Sequence, residues 1–157
     1  MPSSDNGLLA VALGGNQPSA VGEPRETLLA VRPMLEIELA EWAGQSLSFR
    51  WSELKATAPV GPIAQPRYIN GVLLVMGMVG EPTGPAALLL LDRLLRLERT
   101  FGRDRQQEQR WGPRTLDLDL LFWGELRLDD QRLVLPHPRM HLRTFVLEPL
   151  LSVLQLL

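Results

Sequence analysis

Arg110-Trp-Gly-Pro-Arg-Thr-Leu-Asp-Leu-Asp119 is the stretch that decides how this chain is built. It opens with an arginine and an indole, turns at Gly112-Pro113, adds Arg114, and closes with two carboxylates two positions apart. Successive side chains of a β-strand point to opposite faces. Asp117 and Asp119 therefore project side by side, while Leu116, Leu118 and Leu120 point the other way into a core. The reading is a half-buried strand whose outer face carries a pair of acids.

Two like charges on neighbouring positions of one strand face repel each other, so a cationic partner is expected between them. A hard divalent cation such as Mg²⁺ prefers carboxylate oxygens and keeps positions open for water and phosphate. Arg110 and Arg114 supply planar forks suited to phosphate oxygens. Acids for a metal beside arginines for phosphate point to nucleotide chemistry. At this level the alternative is an exposed edge strand whose acids pair only with the arginines.

A chain of 157 residues fits one domain, 1–157, with a substantial core. The apolar fraction of 45% and charged fraction of 22% exclude disordered and fibrous classes. A formal net charge of -2 argues against a nucleic-acid surface, so local positive charge is expected to serve a small anion. Cysteine is absent, which excludes disulfides, thiolate metal sites and a cysteine nucleophile. With no basic-then-apolar leader and no membrane-length apolar run, a cytoplasmic location without membrane contact is expected. Lys55 is the single lysine, and it follows Leu54 rather than glycine, which excludes a Gly-Lys-Ser/Thr phosphate loop.

Leu8 to Leu13 reads as a buried strand ending in the turn Gly14-Gly15-Asn16. From Pro24 to about Trp42, Leu28, Val31, Leu35 and Leu39 recur at helical spacing, with a kink or division expected at Pro33. Leu47 to Trp51 alternates as a strand, Ala58 to Pro66 is a semi-rigid loop, and Tyr68 to Val79 is a largely apolar strand with Asn70 near its start. Thr83 to Phe101 is the strongest helix, capped by Thr83. Its predicted apolar arc contains Leu91, Leu94, Leu95, Phe101 and also Glu98, a carboxylate that needs a partner. Arg103 to Arg110 reads as an arginine-bearing loop, and a final helix starts near Arg143. His137 and His141 lie four apart, but Pro138 disturbs the turn and no third ligand is evident, so a zinc site is not expected.

These segments together resemble the 6-hydroxymethyl-7,8-dihydropterin pyrophosphokinase family. The motifs that carry the resemblance are Ala12-Leu-Gly-Gly-Asn, Pro66-Arg-Tyr-Ile-Asn, Gly102-Arg, the Arg110 to Asp119 block, and Pro136-His-Pro-Arg-Met-His-Leu-Arg-Thr-Phe-Val-Leu. They occur in the family's order and span most of the chain. The resemblance implies an α+β fold, a ferredoxin-like βαββαβ sandwich with an antiparallel sheet and helices packed against it. It implies transfer of pyrophosphate from ATP to the hydroxymethyl group of the pterin, giving AMP, in folate biosynthesis.

Carried over by position, the resemblance implies that Asp117 and Asp119 hold two Mg²⁺ ions, and that Arg103 and Arg114 contact the triphosphate. Glu98, Arg105, Arg110, His137 and Arg143 would bind ATP. Tyr68 and Phe145 would sandwich the pterin ring, Asn70 would read its polar edge, Thr57 and Val60 would add backbone hydrogen bonds, and Trp111 would close over the site. A monomer is expected. The sequence departs from the family where a serine is usual and Gly15 stands, and in Thr57-Ala58-Pro59 where a second proline is usual. Two other classes remain to be weighed: a non-catalytic nucleotide-binding module on the same scaffold, and a metal-dependent phosphohydrolase. The first has little use for adjacent acids, and the second has none for an aromatic pair with Asn70.

Overall fold

A computed structural model describes residues 7–59, 61–104, 106, 112–155 and 157. In chain order its elements are β1 (Leu9–Gly15), α1 (Pro24–Ala43), β2 (Ser48–Trp51), β3 (Lys55–Thr57), β4 (Tyr68–Met76), α2 (Gly84–Thr100), β5 (Asp117–Trp123), the short strands β6 (Leu128–Asp129) and β7 (Val134–Leu135), a 3-10 turn at Met140–Leu142, and α3 (Thr144–Leu154). The main sheet runs β2-β4-β1-β5, and every neighbouring pair is antiparallel.

β3 also pairs with β4, at the opposite end from β2. The two short strands thus form one interrupted edge. Ser52 spans the break: its N–H donates to the Val72 carbonyl at 2.9 Å, and its hydroxyl accepts the Val72 N–H at 2.8 Å. With that edge counted as one strand, the order is βαββαβ, the expected ferredoxin-like arrangement.

Alternation along the strands sorts the core into two layers. Leu9, Val11 and Leu13 of β1, Leu73 and Val75 of β4, and Leu118 and Leu120 of β5 pack with the buried stripes of α1 and α2. Ala10, Val72, Leu74 and Leu121 face the other way and pack with Val146, Leu150 and Val153 of α3. A register shift between Ala10 and Val11 opposite β5 breaks the alternation, so Trp123 rejoins the first layer. A bulge of this kind adds one residue to a strand and re-aims the side chains beyond it.

Three sequence expectations change. α1 is not divided at Pro33, because that residue lies on the exposed side, where the carbonyl left without an amide partner can meet water. On α2 the buried stripe is Ala87, Leu90, Leu94, Leu97 and Glu98, with Leu91 and Leu95 only half-buried. The leucine run covers so much of this helix that periodicity alone does not select its inward face. β4 stops at Met76, before Gly77 turns away with a φ of 91°. No described helix is long and apolar enough to cross a membrane.

Leu73 is fully buried between the sheet and the helices, whereas Leu89 is 62% exposed. Leu73→Ala is expected to cost about 2–5 kcal/mol of stability in denaturant titration, and Leu89→Ala at most about 0.5 kcal/mol.

Candidate active site

α3 covers only part of the second sheet face. The uncovered part is a cavity of about 280 Å³, floored by Ala12 and Gly14 of β1. Strand register explains its contents. Gly14 lies opposite Asn70 on one side and Asp117 on the other, and Ala12 lies opposite Val72 and Asp119. Small residues in the central strand leave a hollow between a wall of acids and a wall headed by Asn70. A Cβ at Gly14 would stand 2.7 Å from Asn70 Oδ1, closer than atoms can approach without displacement.

The acid wall is held from beneath. Glu98, 1% exposed, accepts the Leu118 N–H at 2.8 Å and an Arg103 Nη1 hydrogen bond at 3.0 Å through the same Oε2. Arg103, also buried, donates from Nη1 to the Leu116 carbonyl at 3.1 Å and to Asp117 Oδ1 at 2.8 Å. On the cavity side Arg114 Nη1 lies 3.4 Å from Asp117 Oδ2. Asp117 therefore meets one buried and one cavity-lining arginine. Among the described residues Asp119 has no such clamp: enclosure by protein, followed by the charges of Asp117 and Glu98, pushes its carboxyl up to about 7. Glu98 and Arg103 were expected at the ligand, but in this geometry they support the strand and do not line the cavity.

The opposite wall is built from the start of β4 and the end of β3. Tyr68 Oη donates to the Gly112 carbonyl at 3.0 Å, tying β4 to the segment that precedes the acids. Asn70 Nδ2 donates to Thr57 Oγ1, so the Thr57 side chain orients Asn70 at the edge of the cavity. Asn16, 2% exposed, joins the two walls: Nδ2 donates to Gln65 Oε1 at 2.8 Å and to the Pro66 carbonyl at 2.9 Å, while Oδ1 accepts the Arg114 N–H at 3.0 Å. The Asn16 amide also donates to the Arg114 carbonyl at 3.0 Å. This close approach needs a small neighbour. A Cβ at Gly15 would lie 2.7 Å from the Thr115 carbonyl, so this backbone calls for glycine there.

The segment before α3 completes the enclosure. The His137 N–H donates to the Leu121 carbonyl of β5 at 2.7 Å, and His137 Nδ1 accepts the Arg139 N–H at 3.2 Å. That bond leaves Nε2 as the protonated nitrogen of the neutral ring. Burial, then the charge of Arg143, hold His137 below the usual histidine range. Arg143 lies over the Phe145 ring at 5.8 Å, and both line the cavity.

The structure thus gathers Thr57, Tyr68, Asn70, Arg114, Asp117, Asp119, His137, Arg143 and Phe145 around one space. Val60, Arg105, Arg110 and Trp111 lie outside the described residues. Two functional positions carry no distinguishing signal in the sequence: Arg139, a cavity-lining residue two places after His137, and Asn16, whose local pattern marks only a turn and whose bridging role depends on long-range hydrogen bonds.

The donor set at the acid wall suits a hard cation. No group of three or more His, Asp or Glu side chains capable of holding a metal occurs among the described residues. Two carboxylates on one strand face are what an oxygen-seeking ion needs if it completes its shell with water and phosphate, as Mg²⁺ does. Glu98→Ala would leave Arg103 buried with less compensation, and a loss of about 3–5 kcal/mol in urea unfolding is expected. Glu41→Ala, at an exposed ion pair, is expected to cost less than about 1 kcal/mol in the same assay.

Comparison with known proteins gives these walls a common context. The profile of the 7,8-dihydro-6-hydroxymethylpterin-pyrophosphokinase family matches residues 10–155. The chain is 42% identical over 140 residues to the 2-amino-4-hydroxy-6-hydroxymethyldihydropteridine pyrophosphokinase of Pseudomonas aeruginosa, covering 89% of this chain and 76% of that protein. It is 34% identical over 150 residues to the protein of that name from Bacillus subtilis, covering 96% and 80%. It is also 36% identical over 146 residues to a mitochondrial folate synthesis bifunctional protein of Arabidopsis thaliana, covering 93% of this chain and 23% of that longer one. With the match running from the central strand β1 to the end of α3, the chain belongs to the 7,8-dihydro-6-hydroxymethylpterin-pyrophosphokinase family.

Proposed function

We propose that this chain transfers the terminal pyrophosphoryl group of ATP to the hydroxymethyl oxygen of 6-hydroxymethyl-7,8-dihydropterin, giving AMP and the pterin diphosphate in folate biosynthesis. The observation that carries the reading is the two-walled cavity. The acids and Arg114 stand on one wall, Asn70 and Tyr68 on the other, and the segment leading into α3 adds His137, Arg143 and Phe145 to the same space. A simple nucleotide binder or phosphohydrolase has no need of the second wall.

Tyr68 and Phe145 enter from different layers, and their apolar rings suit a flat heterocycle. Asn70, oriented by Thr57, offers polar atoms to the ring edge. Arg114 and Arg143 face the polyphosphate, with forks that match phosphate oxygens. His137 presents its Nε2–H as a donor that carries no charge. Asp117 and Asp119 would hold Mg²⁺, two ions on this reading, which when bound offsets charge on the phosphoryl and leaving groups.

In the reaction the hydroxymethyl oxygen forms a bond to the β-phosphorus and gives up its proton to solvent, while the bond from that phosphorus to the bridging oxygen breaks and AMP leaves with that oxygen. Catalysis rests mainly on orientation: the pterin wall fixes the nucleophile and the arginine wall fixes the phosphorus. Asn16, bonded to both, keeps the two at a constant offset.

Incubation with Mg²⁺, ATP and the hydroxymethyl pterin is expected to yield AMP and a diphosphorylated pterin by chromatography. ADP or free phosphate as the main product would refute the assignment. Asp117→Ala and Asp119→Ala are each expected to lower kcat on the order of 10²-fold or more with an unchanged circular dichroism spectrum; near-normal rates would remove the acids from the chemistry.

A further inference from the structure

We propose that Arg139 is a nucleotide-capture residue, a further arginine of the polyphosphate wall that acts on binding of the anion more than on the chemical step. This rests on the functional reading above and assigns a residue that neither the acid-strand motif nor the charge pattern had singled out.

Three observations support it. Arg139 lines the same cavity as Arg114 and Arg143, and its charge acts on His137 within it. It differs from them in exposure: Arg103 is buried, Arg114 and Arg143 are half-buried, and Arg139 is exposed. It is also anchored to the site through its main chain, since its N–H donates to His137 Nδ1 at 3.2 Å. One short turn therefore delivers a neutral donor inward and a cation at the rim.

Electrostatics gives the rim cation its task. The protein carries a formal net charge of -2, and the cavity wall contains Asp117 and Asp119. An incoming polyphosphate meets an unfavourable field from both. Arg114 offsets part of it, but it already lies 3.4 Å from Asp117. A cation at the mouth attracts the anion before those inner contacts form, and an exposed charge does so over roughly 10 Å at ordinary ionic strength. Rim charges of this kind govern association and salt dependence, whereas buried pairs govern dissociation.

The backbone bond to His137 survives any substitution at 139 that keeps an N–H, so Arg139→Ala and Arg139→Lys separate the side chain from the turn. Two readouts test the assignment: steady-state kinetics, and equilibrium binding of a non-hydrolysable ATP analogue with Mg²⁺ at low and high salt. For Arg139→Ala the expected result is about a fivefold rise in KM for ATP and in the analogue Kd at low salt. That rise should shrink at high salt, with kcat and the pterin KM changed by less than about twofold. Arg139→Lys should recover most of the affinity. An unchanged Kd at both salt concentrations, or a fall in kcat with KM unchanged, would overturn the proposal while leaving the function standing. Failure of the unsubstituted protein to bind the analogue would instead overturn the functional reading and this inference with it.

Discussion

The register of β1 against its two neighbours is the constraint from which the rest of the site follows. Gly14 faces Asn70 across one ladder and Asp117 across the other, so a single position without a side chain separates the two walls. A shift of one residue in the β1–β5 pairing would turn Asp117 and Asp119 toward α1 and α2 and bring Leu118 and Leu120 to the cavity, and the same shift in the β1–β4 pairing would turn Asn70 away from it. The apolar contacts that fill the first core layer thus also hold the acids on the open face. Stability and placement of the chemistry share one cause.

Beneath that strand a buried charge network stiffens what the register has placed. The Glu98 carboxylate compensates Arg103, caps the Leu118 N–H and, through Arg103, orients Asp117. A buried ion pair adds little net stability compared with apolar packing, but breaking it is costly. Its effect here is geometric. The arginine on the first oxygen of Asp117 is locked in the interior, while the one on the second stands at the cavity with room to face a ligand. An anion arriving from solvent can share Arg114 without disturbing the support below.

The legible parts of the fold were those where local pattern and burial agree. The alternation of Leu116, Leu118 and Leu120 with Asp117 and Asp119 held along β5, and Leu28, Val31, Leu35 and Leu39 marked the inner face of α1. The pattern failed where several faces were equally apolar, as on α2, or where tertiary contacts replaced a local rule. Lys55–Thr57 has no strand signature of its own; the exposed edge of β4 recruits it. The bulge opposite Ala10 arises from pairing, so no reading of β5 alone could have brought Trp123 back into the first layer.

Taken by itself, the sequence determined which chemistry the chain could host: adjacent acids on a strand, arginine as nearly the whole cationic complement, and motifs in the order of one family. Residue type and spacing fix these, because they depend only on side-chain chemistry and on the two-residue period of a strand. Tertiary structure decided which groups stand in the cavity and which stand behind it. Glu98 and Arg103 went behind, Arg139 came forward, and Asn16 became the link between walls separated by tens of residues in the chain. Burial, long-range hydrogen bonds and strand register set those outcomes, and they exist only once distant segments have met.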